Sequence, residues 1–389
     1  MDLDAFRWLL TDDGSALLER AADLAGGPEL AVQRELRRSA NADQVAAALT
    51  QVGLRARAVA KFGSSAAQMF FTSDGLEQAT RQRVAEHRAG RLTAFGTGSL
   101  IDLGCGIGGD LIASARAGIT CAGVDLDPLR VAVAQANLVA LQLPGAVSVA
   151  DATALDTSPF DVAFADPARR TGAGRSFRVA DWVPPWSFVE KVLRRDACVK
   201  VAPGIPHDLV PDGVEAEWVS DHGDVKEAAL WSGRLATTRR RATVIGDGGL
   251  ATLTEDDDPG PAAVGVRGVG AFLHEPDGAV IRAGLVTAVA AAVRGGLIDE
   301  HIAYVTSDAA APTPYARSFR VLEELPYREK LLKAALRERD VGRLTIKKRG
   351  VDIVPETLRK RLSLTGDAEA TVVLTRVAGT GTCLLVEPV

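Results

Sequence analysis

Four aspartates occupy places where carboxylates do chemistry. Asp102 opens the glycine-rich stretch "DLGCGIGGD" (102–110). Asp125 lies in "GVDLDP", Asp151 in "ADA" and Asp166 in "DVAFADPARR". Each follows a short apolar run of the kind that forms a buried strand, so each is expected at a strand end. Gly104, Gly106 and Gly109 formally satisfy G-x-G-x-x-G, and Gly108 adds a fourth glycine. Such a loop lets backbone approach a ligand closely, and the helix after it offers unpaired N–H groups. Asp166 is stiffened by Pro167 and followed by Arg169, Arg170 and Arg175. A carboxylate fixed in that way can accept an N–H and orient an acceptor atom.

The elements needed to bring these acids together follow from the rhythm of the chain. From about Ser99, "SLIDLG", "TCAGVDL", "GAVSVA", "DVAFA" and "ACVKVAP" read as strands. "DLIASARAG", "PLRVAVAQANLVALQL" and 185–195 between them read as helices. Asp127 is the expected N-cap of the second helix, with Pro128 at its first position. Strands alternating with helices imply an α/β fold, a doubly wound Rossmann-like sheet. In such a sheet, ligands bind at the C-terminal strand ends. "VEAEWVS" and "KEAALWSG" read as a closing antiparallel pair.

Around this core, the expected organisation is a helical N-terminal region at 1–92, the α/β domain at 93–235, a linker or loose hairpin at 236–270, and a smaller α/β domain at 271–389. In the N-terminal region, 75–92 is expected to lie over the next domain. In the last domain, helices are expected at 283–294 and near 328–339. "LTIKKRGVDI" should be a strand running into a turn, "VPETLRKRLSL" a helix opening at Pro355, and "TVVLTRVAGTGTCLLVEPV" a hairpin with a glycine turn. The acidic balance, −5, excludes a chain that grips nucleic acid by bulk charge, so any such contact must be local. The nine Lys/Arg against four Asp/Glu between Arg337 and Arg361 are one such patch, with Lys347, Lys348 and Arg349 at its centre. Arg239 to Arg241 form another. None of the four cysteines forms a CxxC pair or stands at zinc-ligand spacing, so no metal is expected and the thiols read as reduced packing groups. The first residues, "MDLDAFRWLL", lack a basic lead, and the longest apolar run is too short to span a bilayer. A cytoplasmic protein without a membrane partner is expected. Oligomeric state is not legible.

Three of the acids favour S-adenosylmethionine over NAD. A carboxylate two residues before the first glycine can hold an ammonium but would repel a pyrophosphate. Asp125 can accept ribose hydroxyls, and Asp151 can accept from an adenine amine. Through "DLGCGIGGD", "GVDLDP", "ADAT" and "DPARR", residues 99–233 resemble the class I S-adenosylmethionine-dependent methyltransferases. The resemblance implies that Asp102, Gly104, Gly106 and Gly108 hold the methionine end, Asp125 with Leu126 the ribose, and Asp151 with Ala152 the adenine. It also implies that Asp166 and Pro167 position the acceptor. This chain departs from the family's amine methyltransferases in lacking a second proline and an aromatic there, since Ala168 and Arg169 take their places. Arg169, Arg170 and Arg175 suggest contact with phosphates.

A second constellation stays open. Lys200 and Glu227 with Asp166 resemble three members of the Lys-Asp-Lys-Glu set of ribose 2′-O methyltransferases, with Lys61 as one candidate for the fourth. "DPARR" also has some likeness to trimethylguanosine synthases, with Trp182 and Trp186 as candidate stacking residues or buried anchors. Residues 271–389 resemble the THUMP-like domain found behind some bacterial methyltransferase domains. That resemblance implies RNA as partner, met by Lys347, Lys348 and Arg349. The expected activity is therefore methyl transfer to a base nitrogen of RNA. The alternatives are ribose 2′-O transfer, a small-molecule acceptor, or a cofactor-holding RNA-binding factor without chemistry.

Overall fold

The computed structural model of the chain describes residues 1–169 and 182–389. It divides into two compact units, Met1–Val214 with Ala229–Thr237, and Glu215–Ala228 with Thr238–Val389.

The first unit opens with six helices: α1 (Leu3–Leu9), α2 (Asp12–Asp23), α3 (Glu29–Leu36), α4 (Ala42–Phe62), α5 (Ser73–Gln78) and α6 (Gln82–Ala94). Asp2, Thr11, Asn41 and Thr72 cap four of them by accepting backbone N–H bonds, and Asn41 with Gln44 forms a capping box. The segment 75–92 is broken at Ala79–Arg81, where backbone leaves the helical region to join α5 to α6.

Then β1 (Ser99–Leu103), α7 (Gly109–Arg116), β2 (Thr120–Asp125), α8 (Pro128–Ala140), β3 (Ala146–Val149) and β4 (Val162–Ala165) alternate. The two-residue strands β5 (Ala168–Arg169) and β6 (Trp182–Val183), α9 (Trp186–Val192) and β7 (Ala197–Val201) follow. Asp127 caps α8 with Pro128 at its first position, as the sequence predicts. The pairings β3–β2, β2–β1, β1–β4 and β4–β7 are all parallel. With the end of β9 beyond β7, the order in this unit is β9-β7-β4-β1-β2-β3. The chain winds outward from β1 to β3 and returns to β4, so the crevice falls at the C-terminal ends of β1 and β4.

The N-terminal helices pack into the same hydrophobic core as β1, α7, α8 and β4, through Phe6, Leu54, Phe62 and Phe71. Asn137 of α8 fastens this layer. It is fully buried, accepts from the Phe70 N–H (2.6 Å) and donates to the carbonyls of Phe70 (3.1 Å) and Ile107 (2.9 Å).

In the second unit, β8 (Glu215–Asp221) and β9 (Asp224–Ser232), consecutive neighbours across a two-residue turn, lie beside β10 (Arg240–Gly246) and β11 (Gly249–Thr254). Here β8 and β10 pair in parallel, and β10 and β11 form an antiparallel hairpin. After the short α10 (Pro261–Val264) come β12 (Phe272–Pro276), α11 (Gly278–Ala283), α12 (Val286–Ala292), β13 (Gly296–Asp299), β14 (Ile302–Ser307), β15 (Ala316–Pro326), α13 (Glu329–Glu338), β16 (Val341–Lys348), α14 (Pro355–Leu362), β17 (Ala368–Val377) and β18 (Thr380–Pro388). Seven strands pair in the order β13-β14-β12-β15-β18-β17-β16. The helix expected at 283–294 is α12, shorter at both ends, and a separate short helix, α11, precedes it. Gly284 takes a left-handed cap (φ 71°), which ends α11. The hairpin of β17 and β18 turns at Ala378–Gly379, both with positive φ.

Among the described residues, no helix is long and apolar enough to cross a membrane. All four cysteines are buried, and none forms a disulfide.

Candidate functional site

Register places the acids. In the parallel ladder Asp102 stands opposite Phe164, and Leu103 opposite Ala165, so Gly104 and Asp166 emerge side by side at the crevice. A Cβ on Gly104 would lie 4.0 Å from the Asp166 carbonyl oxygen. The loop turns through left-handed backbone at Gly104 (φ 97°) and Gly108 (φ 86°), and Gly108 sits at the start of α7 against Ala134.

Asp102 is 1 % exposed, and its Oδ1 is buried without a hydrogen-bond partner. Burial, with Asp110 and Asp166 nearby, pushes its carboxyl well above the usual carboxylate range, opposed by Arg88. Such an orphaned buried acceptor fits a cationic ammonium. Asp125 ties the loop together: Oδ2 accepts from the Gly106 N–H (3.0 Å) and Oδ1 from the Asp127 N–H (2.9 Å). Each oxygen keeps a second lone pair, so holding the loop and accepting ribose hydroxyls are compatible. Leu126 beside it is exposed. Asp151 is exposed, and its Oδ1 is taken by the Thr153 N–H (2.8 Å) and hydroxyl (2.7 Å), which hold its carboxyl below the usual range. Ala152 is half-buried.

The β4–β7 register puts Ala165 opposite Val199, so Lys200 stands beside Asp166. Lys200 Nζ donates to Asp166 Oδ2 at 2.6 Å and to Thr80 Oγ1 at 3.1 Å. Two partners on an ammonium make Lys200 a charged anchor of the Asp166 carboxylate. Pro167 is buried behind it. Glu227 is buried on β9, in the second unit. Lys61 donates to three main-chain carbonyls, those of Leu76, Glu77 and Ala79.

Of the three arginines after Asp166, Arg170 and Arg175 lie outside the described residues. So does the side chain of Arg169, whose backbone pairs with that of Trp182 in the β5–β6 ribbon. Trp186 starts α9, half-buried.

The expected basic patches divide by strand alternation. Lys347 and Arg349 point to one side of the strand and Lys348 to the other. Lys347 pairs with Glu275 at 2.6 Å, Arg349 lies over the Tyr304 ring, and Lys348 is exposed. These three therefore do not present one cationic face. In the second patch, Arg240 pairs with Glu255 (2.9 Å) and Arg241 with the fully buried Glu215 (2.6 Å), which leaves Arg239 as the exposed member.

Two site residues were not singled out by sequence reasoning. Arg88 of α6 is buried. Its Nε pairs with Asp110 Oδ1 at 3.0 Å, and its guanidinium lies 4.7 Å from the Phe164 ring centroid. Its sequence signal is an arginine at helical spacing among Ala85, Ala89 and Leu92, on a face that should be apolar. Thr80 has no such signal, since its role depends on a loop contact across the chain.

Comparison with known proteins fits this geometry. Over 339 residues the chain is 39 % identical to an uncharacterized S-adenosylmethionine-dependent methyltransferase of Mycobacterium tuberculosis H37Rv, covering 83 % of this chain and 90 % of that protein. The counterpart in strain CDC 1551 matches equally. The chain thus belongs to the S-adenosylmethionine-dependent methyltransferases. The crystal structure of a candidate methyltransferase from Porphyromonas gingivalis W83 shares the fold, with a TM-score of 0.75 at 20 % identity over 97 % of this chain and 99 % of that one. The THUMP domain-like family matches residues 316–388, and a domain of unknown function, DUF8688, matches residues 2–58.

The cofactor is S-adenosylmethionine. The orphaned Asp102 oxygen and the glycine turn fit it. Once bound, it supplies an electrophilic methyl carbon.

Proposed function

We propose that this methyltransferase acts in the cytoplasm on RNA and modifies a base nitrogen. Asp102 would hold the donor's ammonium and Asp125 its ribose. Asp151 has lone pairs left for an amine, and Leu126 and Ala152 would flank the base. The observation that carries the acceptor reading is the Lys200–Asp166 contact of 2.6 Å. It engages Oδ2 and leaves Oδ1 to accept an N–H from the acceptor, with Pro167 fixing the corner. The nitrogen's bond to the methyl carbon would form as the donor's sulfur–methyl bond breaks, S-adenosylhomocysteine would leave with that electron pair, and the nitrogen's proton would pass to Asp166 Oδ1 or to water. Alignment of this kind is the main requirement of an in-line displacement. The THUMP-like match at 316–388 and the exposed Lys348 and Arg239 support an RNA partner. Arg169, Arg170 and Arg175 would meet phosphates.

One observation favours ribose 2′-O transfer as the second reading. Burial and the neighbouring Lys200 lower the Lys61 ammonium to about 8, so a second lysine stands near Lys200. That route needs a lysine to give up its proton as general base, and Lys200 would lose its pairing with Asp166 in doing so. Base-nitrogen transfer keeps the pair intact. Mass spectrometry of total-RNA nucleosides from cells with and without the protein distinguishes the readings. Loss of one base-methylated nucleoside is expected. Loss of a 2′-O-methylated nucleoside would favour the second reading, and an unchanged profile would contradict both.

A further inference from the structure

We infer that the N-terminal helices complete the acceptor side of the site: Lys61 clamps the chain at 76–80 so that Thr80 holds the Lys200 ammonium against Asp166. The inference deepens the proposed function and rests on Asp166 as the group that holds the acceptor.

Lys61 lies in the last turn of α4. Its Nζ donates to the carbonyls of Leu76 (2.7 Å), Glu77 (2.6 Å) and Ala79 (2.9 Å). Three bonds use all the protons an ammonium has. The clamped carbonyls are the end of α5 and the turn before α6. A second tie runs the other way, from Arg81 Nη1 to the carbonyl of Ala60 (3.1 Å). Thr80 lies between the two ties, is 7 % exposed and accepts from Lys200 Nζ. A Cβ on Gly109, at the start of α7, would lie 3.8 Å from both Phe62 and the Thr80 carbonyl, so the same corner also abuts the donor loop.

A lysine ammonium sits on a flexible stem that loses rotamer entropy when it is fixed. Fixing it needs contacts on more than one side. Asp166 is one and Thr80 is another, and Thr80 is only as fixed as its loop. Lys61 is thus a positioning residue acting through Thr80. The charged groups facing it are Lys200 from β7, Arg81 from the start of α6 and Glu77 from α5. Near neutral pH it carries its proton. Above about 8 it loses the third donor and the clamp loosens.

The test uses the full chain labelled with ¹⁵N-lysine, the Lys200 ammonium signal being assigned through Lys200→Arg. In Lys61→Met and Thr80→Val the protected Lys200 signal should be lost or shifted, and in Thr80→Ser it should persist. With RNA from cells lacking the protein as acceptor, kcat should fall on the order of tenfold to a hundredfold in Thr80→Val. Thr80→Ser should stay near wild type, and donor Kd should change less than about threefold. Lys61→Arg should keep its rate above pH 8, where the wild type declines. An unchanged Lys200 signal in both Lys61→Met and Thr80→Val, or equal rates for Thr80→Ser and Thr80→Val, would overturn the inference. If the wild-type protein transfers no methyl group to RNA, the RNA reading fails, while the lysine signals still decide this one. If Lys61→Met does not fold, the two Thr80 variants carry the test.

Discussion

Burial of Asp102 opposes folding, and in the proposed reading it serves to hold the donor's ammonium. A carboxyl raised in the folded state holds its proton more tightly there than in the unfolded chain. Between the ordinary value near 4 and its raised value, the folded chain carries the extra proton. Stability of the donor-free enzyme therefore falls as pH rises through that window and levels off above it. Asp102→Asn removes the titrating carboxyl, so above the raised value, where the wild type must carry a buried charge, the donor-free variant should melt higher, by an increment of about 1–3 kcal/mol. Its donor affinity should drop at least tenfold. Calorimetric melting and titration with S-adenosylmethionine measure the two together. In the wild type, donor affinity should fall as pH is lowered through the raised value, because the neutral acid no longer holds an ammonium. The type and order of the acids were legible in the chain, since each follows an apolar run. The consequences of packing were not. Asp102 Oδ1 is orphaned because it is buried where no donor reaches it, and Asp151 is engaged because Thr153 folds back on it.

At the level of elements, the apolar rhythm with its glycine and proline punctuation set out β1 to β4 and α7 to α9. Asp161 shows how sequence and register meet: its Oδ2 accepts from the N–H groups of Gly98 and Ser99, both at 2.9 Å. The acid that opens "DVAFADPARR" thus pins the start of β1, while the acid near its end reaches the crevice. The short α11 escaped the same reading. Leu285 and Val286 continue an apolar run, and only the left-handed Gly284 stops α11. The glycine loop gives a sharper prediction. Gly108 has φ 86°, and a side chain there would also press on Ala134 at 3.4 Å. Gly108→Ala should cost about 1–2 kcal/mol from backbone strain and weaken the donor more than it weakens the fold. Chemical denaturation followed alongside donor titration would show this. Gly106→Ala carries left-handed strain as well (φ 54°) but its Cβ meets nothing within 4 Å, so equal loss there would argue that backbone strain rather than the Ala134 contact matters.

At the scale of the whole chain, a net charge of −5 leaves any cationic surface to local patches. The patch at 337–361 reads as nine cations, yet Arg339, Arg343, Lys347, Arg359 and Arg361 all have carboxylate partners within 4 Å. Arg359 pairs within α14 with Glu356, but the other four partners, Glu323, Glu369, Glu275 and Glu329, lie outside the patch, so those pairings were invisible in a linear count. Lys348 and Lys360 are exposed members of the patch. Replacing both with alanine should weaken RNA binding and reduce the slope of log affinity against log salt by about 1 to 2. Lys347→Met should leave that slope unchanged, because Lys347 is already paired. Filter binding across a salt series would decide between them.

The central claim is that Asp166, anchored by Lys200, orients the acceptor. Single-turnover methyl transfer from labelled S-adenosylmethionine to RNA from cells lacking the protein tests it most directly, comparing wild type with Asp166→Asn. The account predicts donor affinity within about threefold and a transfer rate lower by roughly a hundredfold or more. An Asp166→Asn enzyme that transfers at the wild-type rate would contradict it.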